Sequence, residues 1–337
     1  MNEVTIPTWS SRKRGSSAAI EGGLPSHPLT IFPGDGAPKS TVKPVFGMAR
    51  PVNPEEVVLL LTDEYSRMAE TYDRTVTPRF APVAERVLAL AAPKPSELVL
   101  DLGTGTGLLA CMVAPKVAPQ GVVAIDLADG AIAQATYRAA GLGIRSIRFE
   151  MLDVRNIVYR GGLFDAVVSN LGIPSIGFAR CFTEVARVLK PTGRFVFSEW
   201  GEMADSAFDA FTAALDRHRV RGPPKKLAEI RAATEYFRGS QGYKDLRDPE
   251  AVTAALRKAG FRKVSVRTET IRAVFEPPES FIDFRLSWGA NEAEVAAMDP
   301  ATRTAFVEDA RAELRSRAGG DRLVDDWLMH FYEARPQ

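Results

Sequence analysis

Three glycines alternate with threonine in the segment DLGTGTG, at Gly103, Gly105 and Gly107. The segment follows the apolar run ELVL and precedes LLACMVAPKV, so it is predicted to join a strand to a helix. Glycine is needed where the backbone takes a positive φ or where a ligand comes closer than a Cβ allows, and the following helix begins with free N–H groups. These features predict a binding loop for a nucleotide-like ligand.

The glycine spacing excludes two phosphate-binding loops. A dinucleotide fingerprint, G-x-G-x-x-G, would place its third glycine at position 108, where the chain has Leu108. A P-loop needs Gly-Lys-Ser/Thr, and the first lysine after the glycines is Lys116. The expected ligand therefore resembles a nucleotide, but this loop is not expected to bind a phosphate group.

The elements that position this loop alternate in type along the chain. GVVAIDL, IRFEML, LFDAVVSNL and RFVFSEW are typical of strands, whereas DGAIAQATYRAA and FARCFTEVARVL are typical of helices. Strands alternating with helices of this length predict an α/β fold with a doubly wound parallel sheet. Helices are expected from Pro54, over about 81–91, over 203–219 and over 249–259. FRKVSVRTETIRAVF and WLMHFYEARP are expected to be the last strands, with a largely helical insertion at about 276–326 between them.

Strand, acidic residue and G-x-G-x-G in this order resemble motif I of class I S-adenosylmethionine (SAM)-dependent methyltransferases. FDAVVSNLGIP resembles the fourth-strand motif of that family, and VARVLKPTGRFVFSEW is similar to a segment of its small-molecule (ubiquinone/menaquinone-type, "type 11") branch. EYSRMAETYDR resembles the helix with a Tyr-Asp pair that closes over SAM in that branch. The resemblance spans residues 63–200 clearly and 201–337 loosely. It implies a Rossmann-like, mostly parallel seven-stranded sheet with an antiparallel final strand and a helical cap.

The resemblance also implies SAM as the cofactor and S-adenosylhomocysteine as its product. Asp126, nineteen positions after Gly107, matches the acid that accepts hydrogen bonds from the ribose hydroxyls, and Asp153 matches the acceptor of the adenine amino group. Three simpler interpretations stay open: Asp126 as a cap of the next helix, Asp153 as an exposed loop residue and Asp101 as a solvated strand end. The implied cofactor-binding residues are Asp101, Gly103, Gly105, Gly107, Asp126, Leu127, Asp153, Val154 and Asn170.

Three side chains are candidates for a direct role in the reaction. Tyr72 lies on the expected lid helix, Glu199 ends the fifth strand, and His218 lies beyond it. Their alternatives are lid packing, a helix cap and a solvated helix end. Methyl transfer mainly requires alignment of nucleophile, carbon and sulfur and exclusion of water, so no catalytic triad or metal site is needed, and none is expected.

Composition narrows the class of protein further. The chain has 43 basic and 42 acidic residues, a formal charge of +1, which argues against a dedicated nucleic-acid partner. Cys111 and Cys181 cannot form a disulfide framework, so a cytoplasmic location is expected, and no apolar run reaches the ~20 residues of a membrane span. Residues 1–53, rich in Pro, Gly and Ser, are expected to be an irregular or disordered arm, 54–92 the lid helices, and 93–337 the SAM-binding domain.

The favoured function is methyl transfer from SAM to a small molecule. Methylation of nucleic acid or protein is one alternative, but nucleobase-amine enzymes commonly have Asn/Asp-Pro-Pro-aromatic after the fourth strand, where this chain has NLGI at 170–173. A non-catalytic SAM-binding domain is another. The sequence does not choose the acceptor molecule, its acceptor atom or the oligomeric state, for which a homodimer stays open.

Overall fold

The computed structural model describes residues 53–203 and 205–336 of the 337-residue chain. The expected N-terminal arm lies outside the described residues, apart from its last residue, Asn53. That residue is the N-cap of helix α1 (Pro54–Thr75), where its side chain accepts a 3.0 Å hydrogen bond from the amide of Glu55. The proline at the helix start and the two glutamates in its first turn explain why the helix begins there.

A seven-stranded sheet forms the centre of the described chain, with strand order β3-β2-β1-β4-β5-β7-β6. β1 to β5 are parallel, whereas β7 is antiparallel to both of its neighbours. The predicted fold class is therefore confirmed, including the antiparallel final strand. The strands are β1 (Val99–Leu102), β2 (Val122–Asp126), β3 (Ile147–Met151), β4 (Phe164–Asn170), β5 (Leu189–Trp200), β6 (Lys263–Phe275) and β7 (Leu323–Arg335).

Side chains of the central strands are buried on both faces of the sheet, as a sheet covered by helices on both sides requires. Val99 and Val168 belong to the core of one face, and Leu100 and Val167 belong to the core of the other. Both cysteines are free and buried, and Cys181 belongs to the second of these cores. The helices between the strands are α3 (Leu108–Val117), α4 (Asp129–Gly141), α5 (Phe178–Val188) and α9 (Pro249–Lys258).

Helix α2 (Thr77–Ala91) starts four residues before its predicted start and packs against β4 and β5. Phe80, Val83 and Val87 are buried in the core of that face. α2 thus covers the sheet, and only α1, which contacts α4, α7 and α11, has the position expected of a lid.

The remaining helices lie before β6 and between β6 and β7. We call them the cap. The predicted insertion is helical, as expected, but it ends earlier because β7 already begins at Leu323. α7 was not expected, since its sequence lacks a clear apolar period. The cap helices are α6 (Ala207–Arg217), α7 (Lys225–Gly239), α8 (Gln241–Asp245), α10 (Ser280–Leu286), α11 (Gly289–Ala296) and α12 (Pro300–Arg317). No helix in the described ranges is both long and apolar enough to cross a membrane.

Candidate active site

The three glycines of the β1–α3 loop all have positive φ, at +59° for Gly103, +54° for Gly105 and +81° for Gly107. Their surroundings differ. A Cβ on Gly107 would lie 2.9 Å from the Cβ of Ala135, whereas a Cβ on Gly105 would have nothing within 4 Å. Gly107 is therefore required by helix packing, and Gly105 borders open space at the carboxyl edge of the sheet.

Gly103 is required by a contact between two loops. A Cβ on Gly103 would lie 2.5 Å from the carbonyl oxygen of Gly172, and a Cβ on Gly172 would lie 2.6 Å from the carbonyl oxygen of Gly103. The β1–α3 and β4–α5 loops thus touch through backbone atoms. Sequence analysis missed Gly172, although a glycine two residues after a buried strand was a usable signal.

The turn after β4 is held by hydroxyl groups. Asn170 Oδ1 accepts a 3.0 Å bond from Ser198 Oγ, and Leu171 has a φ of +60°. Ser169 Oγ donates to the carbonyl oxygen of Leu102 at 2.8 Å. Asn170 therefore helps to shape the site from the β5 side.

Asp101 lies beneath the glycine loop and is almost fully buried. Its Oδ2 accepts a 2.7 Å bond from Thr104 Oγ1, so the side chain supports the loop from below. Burial raises the pKa of Asp101 to about 7. The alternative of a solvated strand end is wrong for this residue.

Asp126 ends β2 beside the open space at Gly105. Its Oδ2 accepts a 2.8 Å bond from the Gly105 amide, and its Oδ1 accepts a 2.9 Å bond from the Ala128 amide. Burial raises the pKa of Asp126, whereas the backbone donors lower it. Asp126 is thus fixed by the backbone next to the loop, and Leu127 follows it half-buried. Asp126 is not the N-cap of α4, since that residue is Ala128.

Asp153 takes part in an ion pair that was not foreseen. Its carboxylate accepts bonds of 2.8–3.1 Å from the guanidinium of Arg155, which also reaches Glu55 of α1 at 2.7 Å. These bonds connect the start of α1 to the β3–β4 loop. The side chain of Val154 is buried in the core.

Helix α1 crosses the start of α4. A Cβ on Gly130 would lie 2.2 Å from the carbonyl oxygen of Ser66, so only glycine allows this approach. Asp73 pairs with Arg138 of α4, and Arg138 Nε donates a 3.0 Å bond to the carbonyl oxygen of Thr106. The Tyr-Asp pair of α1 is thus tied through α4 to the glycine loop.

Tyr72 and Tyr65 lie on the same helix with ring centroids 6.3 Å apart. Burial raises the pKa of both hydroxyls, and the negative charge of Asp126 raises it further. Both phenols are therefore neutral at physiological pH and act as hydrogen-bonding groups. The charge of Asp126 therefore acts on the Tyr72 hydroxyl.

Glu199 lies in β5 opposite His330 of β7 and is 6% exposed. Its Oε1 has no hydrogen-bond partner among the described residues. Burial raises the pKa of Glu199 to about 8, although the positive charge of Arg247 lowers it. A carboxyl group in this state is mostly protonated at neutral pH.

His218 has a different environment. It is the C-cap of α6, and its Nε2 lies 3.0 Å from Oδ2 of Asp309, which also pairs with Arg217. This cluster joins α6 to α12. No contact in the described chain connects His218 to the glycine loop, so we no longer propose it as a base.

The described residues contain no group of three or more His, Cys, Asp or Glu arranged to hold a metal ion.

His330 is buried and its Nδ1 lies 2.8 Å from Thr268 Oγ1, which agrees with a structural role.

Comparison with known proteins shows what the chain is similar to. Residues 99–193 match the family model described as "Methyltransferase domain". Nocamycin O-methyltransferase of Saccharothrix syringae is 26% identical over 287 residues, which cover 80% of this chain and 96% of that protein. Aklanonic acid methyltransferase DauC of Streptomyces sp. (strain C5) is 30% identical over 140 residues, or 41% of this chain and 64% of that protein. The solved structure of Haemonchus contortus phosphoethanolamine N-methyltransferase 2 with SAM is 19% identical, covers 76% of this chain and 53% of that chain, and gives a TM-score of 0.45.

The sheet order, with its single antiparallel strand and a glycine loop after β1, defines a class I methyltransferase fold. The chain is a SAM-dependent methyltransferase of the small-molecule type, as the resemblance implied. The enzyme transfers a methyl group from SAM to a small-molecule acceptor.

Proposed function

We propose that SAM binds at the carboxyl edge of β1 and β2, with its ribose on Asp126 and its adenine beside Asp153 and Val154. The observation that carries this proposal is the open space at Gly105, where a Cβ would meet nothing within 4 Å. Asp126 borders that space with its carboxylate fixed by two backbone amides. The carboxylate of Asp153 accepts bonds from the backbone amide, Nε and Nη2 of Arg155, which leaves one of its roughly four acceptor sites for an adenine amino group.

Helix α1 forms the roof of this proposed site. It is fixed at both ends, by Glu55 on Arg155 and by Asp73 on Arg138. Tyr72 and Tyr65 present neutral phenols that position the cofactor or the acceptor. A helix held in this way excludes water, which alignment-based catalysis requires.

When bound, SAM supplies a methyl carbon already activated by a positively charged sulfur. The chain's own task is to hold the acceptor in line with that carbon, and rings between β5 and the cap provide an apolar wall for a planar molecule. Phe208 lies 5.6 Å from Trp200 and 6.0 Å from Trp288, between ring centroids. The relatives named for nocamycin and aklanonic acid support a small-molecule acceptor.

The carboxyl group of Glu199 would be ionised, and so able to act as a base, only above a pH of about 8. We therefore propose that alignment, not general-base catalysis, accounts for most of the rate at neutral pH. A dedicated base would be worth about 10²- to 10⁴-fold. A cytoplasmic location is proposed on the two free, buried thiols.

The test is calorimetric titration with SAM, S-adenosylhomocysteine and NAD. We expect the first two to bind and NAD not to bind. Asp126→Ala removes acceptors worth about 1.5–3 kcal/mol each before compensation by water, so SAM affinity should fall about tenfold or more. Asp165→Ala is the matched control, since Asp165 also accepts a bond from a backbone amide, Leu98, but at the amino edge of the sheet.

Unchanged SAM affinity in Asp126→Ala would contradict the ribose assignment. Turnover is tested separately, by incubating the enzyme and SAM with a host extract and searching by mass spectrometry for a metabolite shifted by one added methylene. S-adenosylhomocysteine formed only in the presence of the extract would support methyl transfer. Its absence would favour a non-catalytic SAM-binding protein.

A further inference from the structure

A buried arginine lies in the cap without an acidic partner. Arg285 of α10 is 3% exposed. Across the described residues its guanidinium makes no ion pair or hydrogen bond, and its Nε is buried without an acceptor. Arginine is almost never fully buried unless it is paired. An unpaired buried cation is costly, so this position requires a compensating group.

Aromatic rings surround the Arg285 guanidinium. Its Cζ lies 4.7 Å from the centroid of Trp288, 4.8 Å from that of Phe208 and 5.2 Å from that of Phe211. Ring faces attract a cation, but they leave its N–H donors without an oxygen acceptor. The indole Nε1 of Trp288 is also buried without a hydrogen-bond partner. Two neighbouring side chains therefore both need an acceptor.

The charged groups around Arg285 do not supply one. Asp209 is the nearest acid in electrostatic terms, but its carboxylate accepts bonds from the amide and hydroxyl of Ser206 at the start of α6. Arg238 adds positive charge, and Tyr65, whose pKa is raised, supplies no anion at physiological pH. Arginine stays protonated in such an environment. The rings of Phe208, Phe211 and Trp288, here called the cage, therefore surround a positive charge that has no bonded anion.

The cage lies toward the methyl-transfer site. α10 contacts both α1 and α6. Phe208, in contact with the guanidinium, also packs on Trp200, which ends β5 at the carboxyl edge of the sheet. Tyr65 of α1 is influenced by the charges of both Arg285 and Asp126.

We propose that Arg285 binds an anionic oxygen group, a carboxylate or an ionised enol or phenol, of a planar acceptor that packs against the cluster of Trp200, Phe208 and Trp288. This inference rests on the proposed function, since it names the class of acceptor. The fork of N–H donors on guanidinium matches two oxygens in one plane, and Trp288 Nε1 offers a further donor. The acceptor thus supplies the negative charge that the cage lacks.

The experiment uses two probes of equal size in the presence of saturating S-adenosylhomocysteine: 1-hydroxy-2-naphthoate and the neutral 1-hydroxy-2-naphthamide. Wild-type enzyme should bind the acid at least tenfold more tightly than the amide. Arg285→Met should bind both within about twofold of each other. Arg285→Lys keeps the charge but loses the fork, so an intermediate preference is expected.

Arg79→Met is the matched control. Arg79 also lies over a ring, 5.0 Å from the centroid of Phe275, but its Nη1 already donates a 2.8 Å bond to the carbonyl oxygen of Thr75. This variant should keep the preference for the acid. Melting temperatures are measured for every variant, and Arg285→Met should not melt lower than wild type, because it removes an uncompensated charge.

Equal binding of acid and amide by wild type, binding of neither, or a preference that survives in Arg285→Met would overturn the proposal. A lower melting temperature in Arg285→Met with the preference intact would show that Arg285 is a structural anchor. If Arg285→Met does not fold, an unchanged preference in Arg285→Lys overturns it and a reduced one supports it. Failure of wild type to bind S-adenosylhomocysteine would instead contradict the proposed cofactor site.

Discussion

The two halves of the site differ in how their polar groups are satisfied. Around the glycine loop, the carboxylates of Asp126 and Asp153 already accept bonds from the chain itself. In the cap, Arg285 Nε and Trp288 Nε1 are buried without partners. The family model matches 99–193, which includes the first half and none of the cap. The comparison indicates that the carboxylates of Asp126 and Asp153, in the cofactor half, are held by the chain itself, whereas the donors of Arg285 and Trp288, in the acceptor half, depend on a ligand.

The largest effect expected in the cofactor half comes from valine at two glycines only two residues apart. Gly105→Val should fold, since its Cβ meets nothing within 4 Å, but SAM affinity should fall at least a hundredfold because the side chain fills the proposed ligand space. Gly107→Val should instead lower the melting temperature strongly, because its Cβ would lie 2.9 Å from that of Ala135. Positive φ costs both variants roughly 1–2 kcal/mol.

The measurements are thermal melts and S-adenosylhomocysteine calorimetry on both variants. If Gly105→Val binds normally, the ligand does not lie at Gly105. If Gly107→Val folds normally but loses binding, the roles of the two glycines are reversed.

The sequence predicts the strands and helices around the glycine loop well because its signals there are local. Strand, glycine loop and acidic residue follow each other within a few positions, and the backbone alone places them at one edge of the sheet. The role of Asp101 beneath the loop and the need for Gly172 were not predicted, because each depends on a neighbouring loop or hydroxyl that folding brings close.

The acceptor half, in the cap, was not predictable in the same way. Arg285 lies in the short sequence SFIDFRL, where nothing local shows that it is buried without an acid. His218 was misjudged for a related reason, since its partner Asp309 is 91 positions away in sequence. The state of a buried charge depends on residues from several distant segments, and one sequence does not specify their arrangement.

A smaller effect is expected from breaking the connection between α1 and the loop. Asp73→Asn weakens the pair with Arg138, whose Nε donates to the Thr106 carbonyl, so SAM affinity should fall about three- to tenfold while the fold is kept. Because the pair lies in the cofactor half, the preference of the acceptor half for an acidic probe should not change. Asp326→Asn, at an exposed pair with Arg272, is the control.

Calorimetry and amide hydrogen exchange of residues 103–107 test this expectation. Faster exchange in Asp73→Asn than in Asp326→Asn would support the connection. Equal exchange and equal SAM affinity in both variants would show that α1 does not order the loop.

A separate effect concerns stability, at one buried acid beneath the glycine loop and another in β5. Burial raises the folded-state pKa of Asp101 to about 7 and that of Glu199 to about 8. Between the unfolded and the folded pKa the folded protein binds more protons, so each acid contributes stability that is present at low pH and lost as pH rises. Glu199→Gln and Asp101→Asn remove this loss.

Melting temperatures between pH 5 and pH 9 therefore separate the two acids. The advantage of Asp101→Asn over wild type should grow with pH and level off above about pH 7, whereas that of Glu199→Gln should grow until about pH 8. One kcal/mol corresponds to about 2–4 °C in a domain of roughly this size. Arg247 faces Glu199 from just before α9, and His330 and Tyr332 face it from β7; burial lowers the pKa of His330. An advantage of Glu199→Gln that stays constant over the whole range would mean that Glu199 is ionised in the folded enzyme at neutral pH, and a general-base role would then have to be considered again.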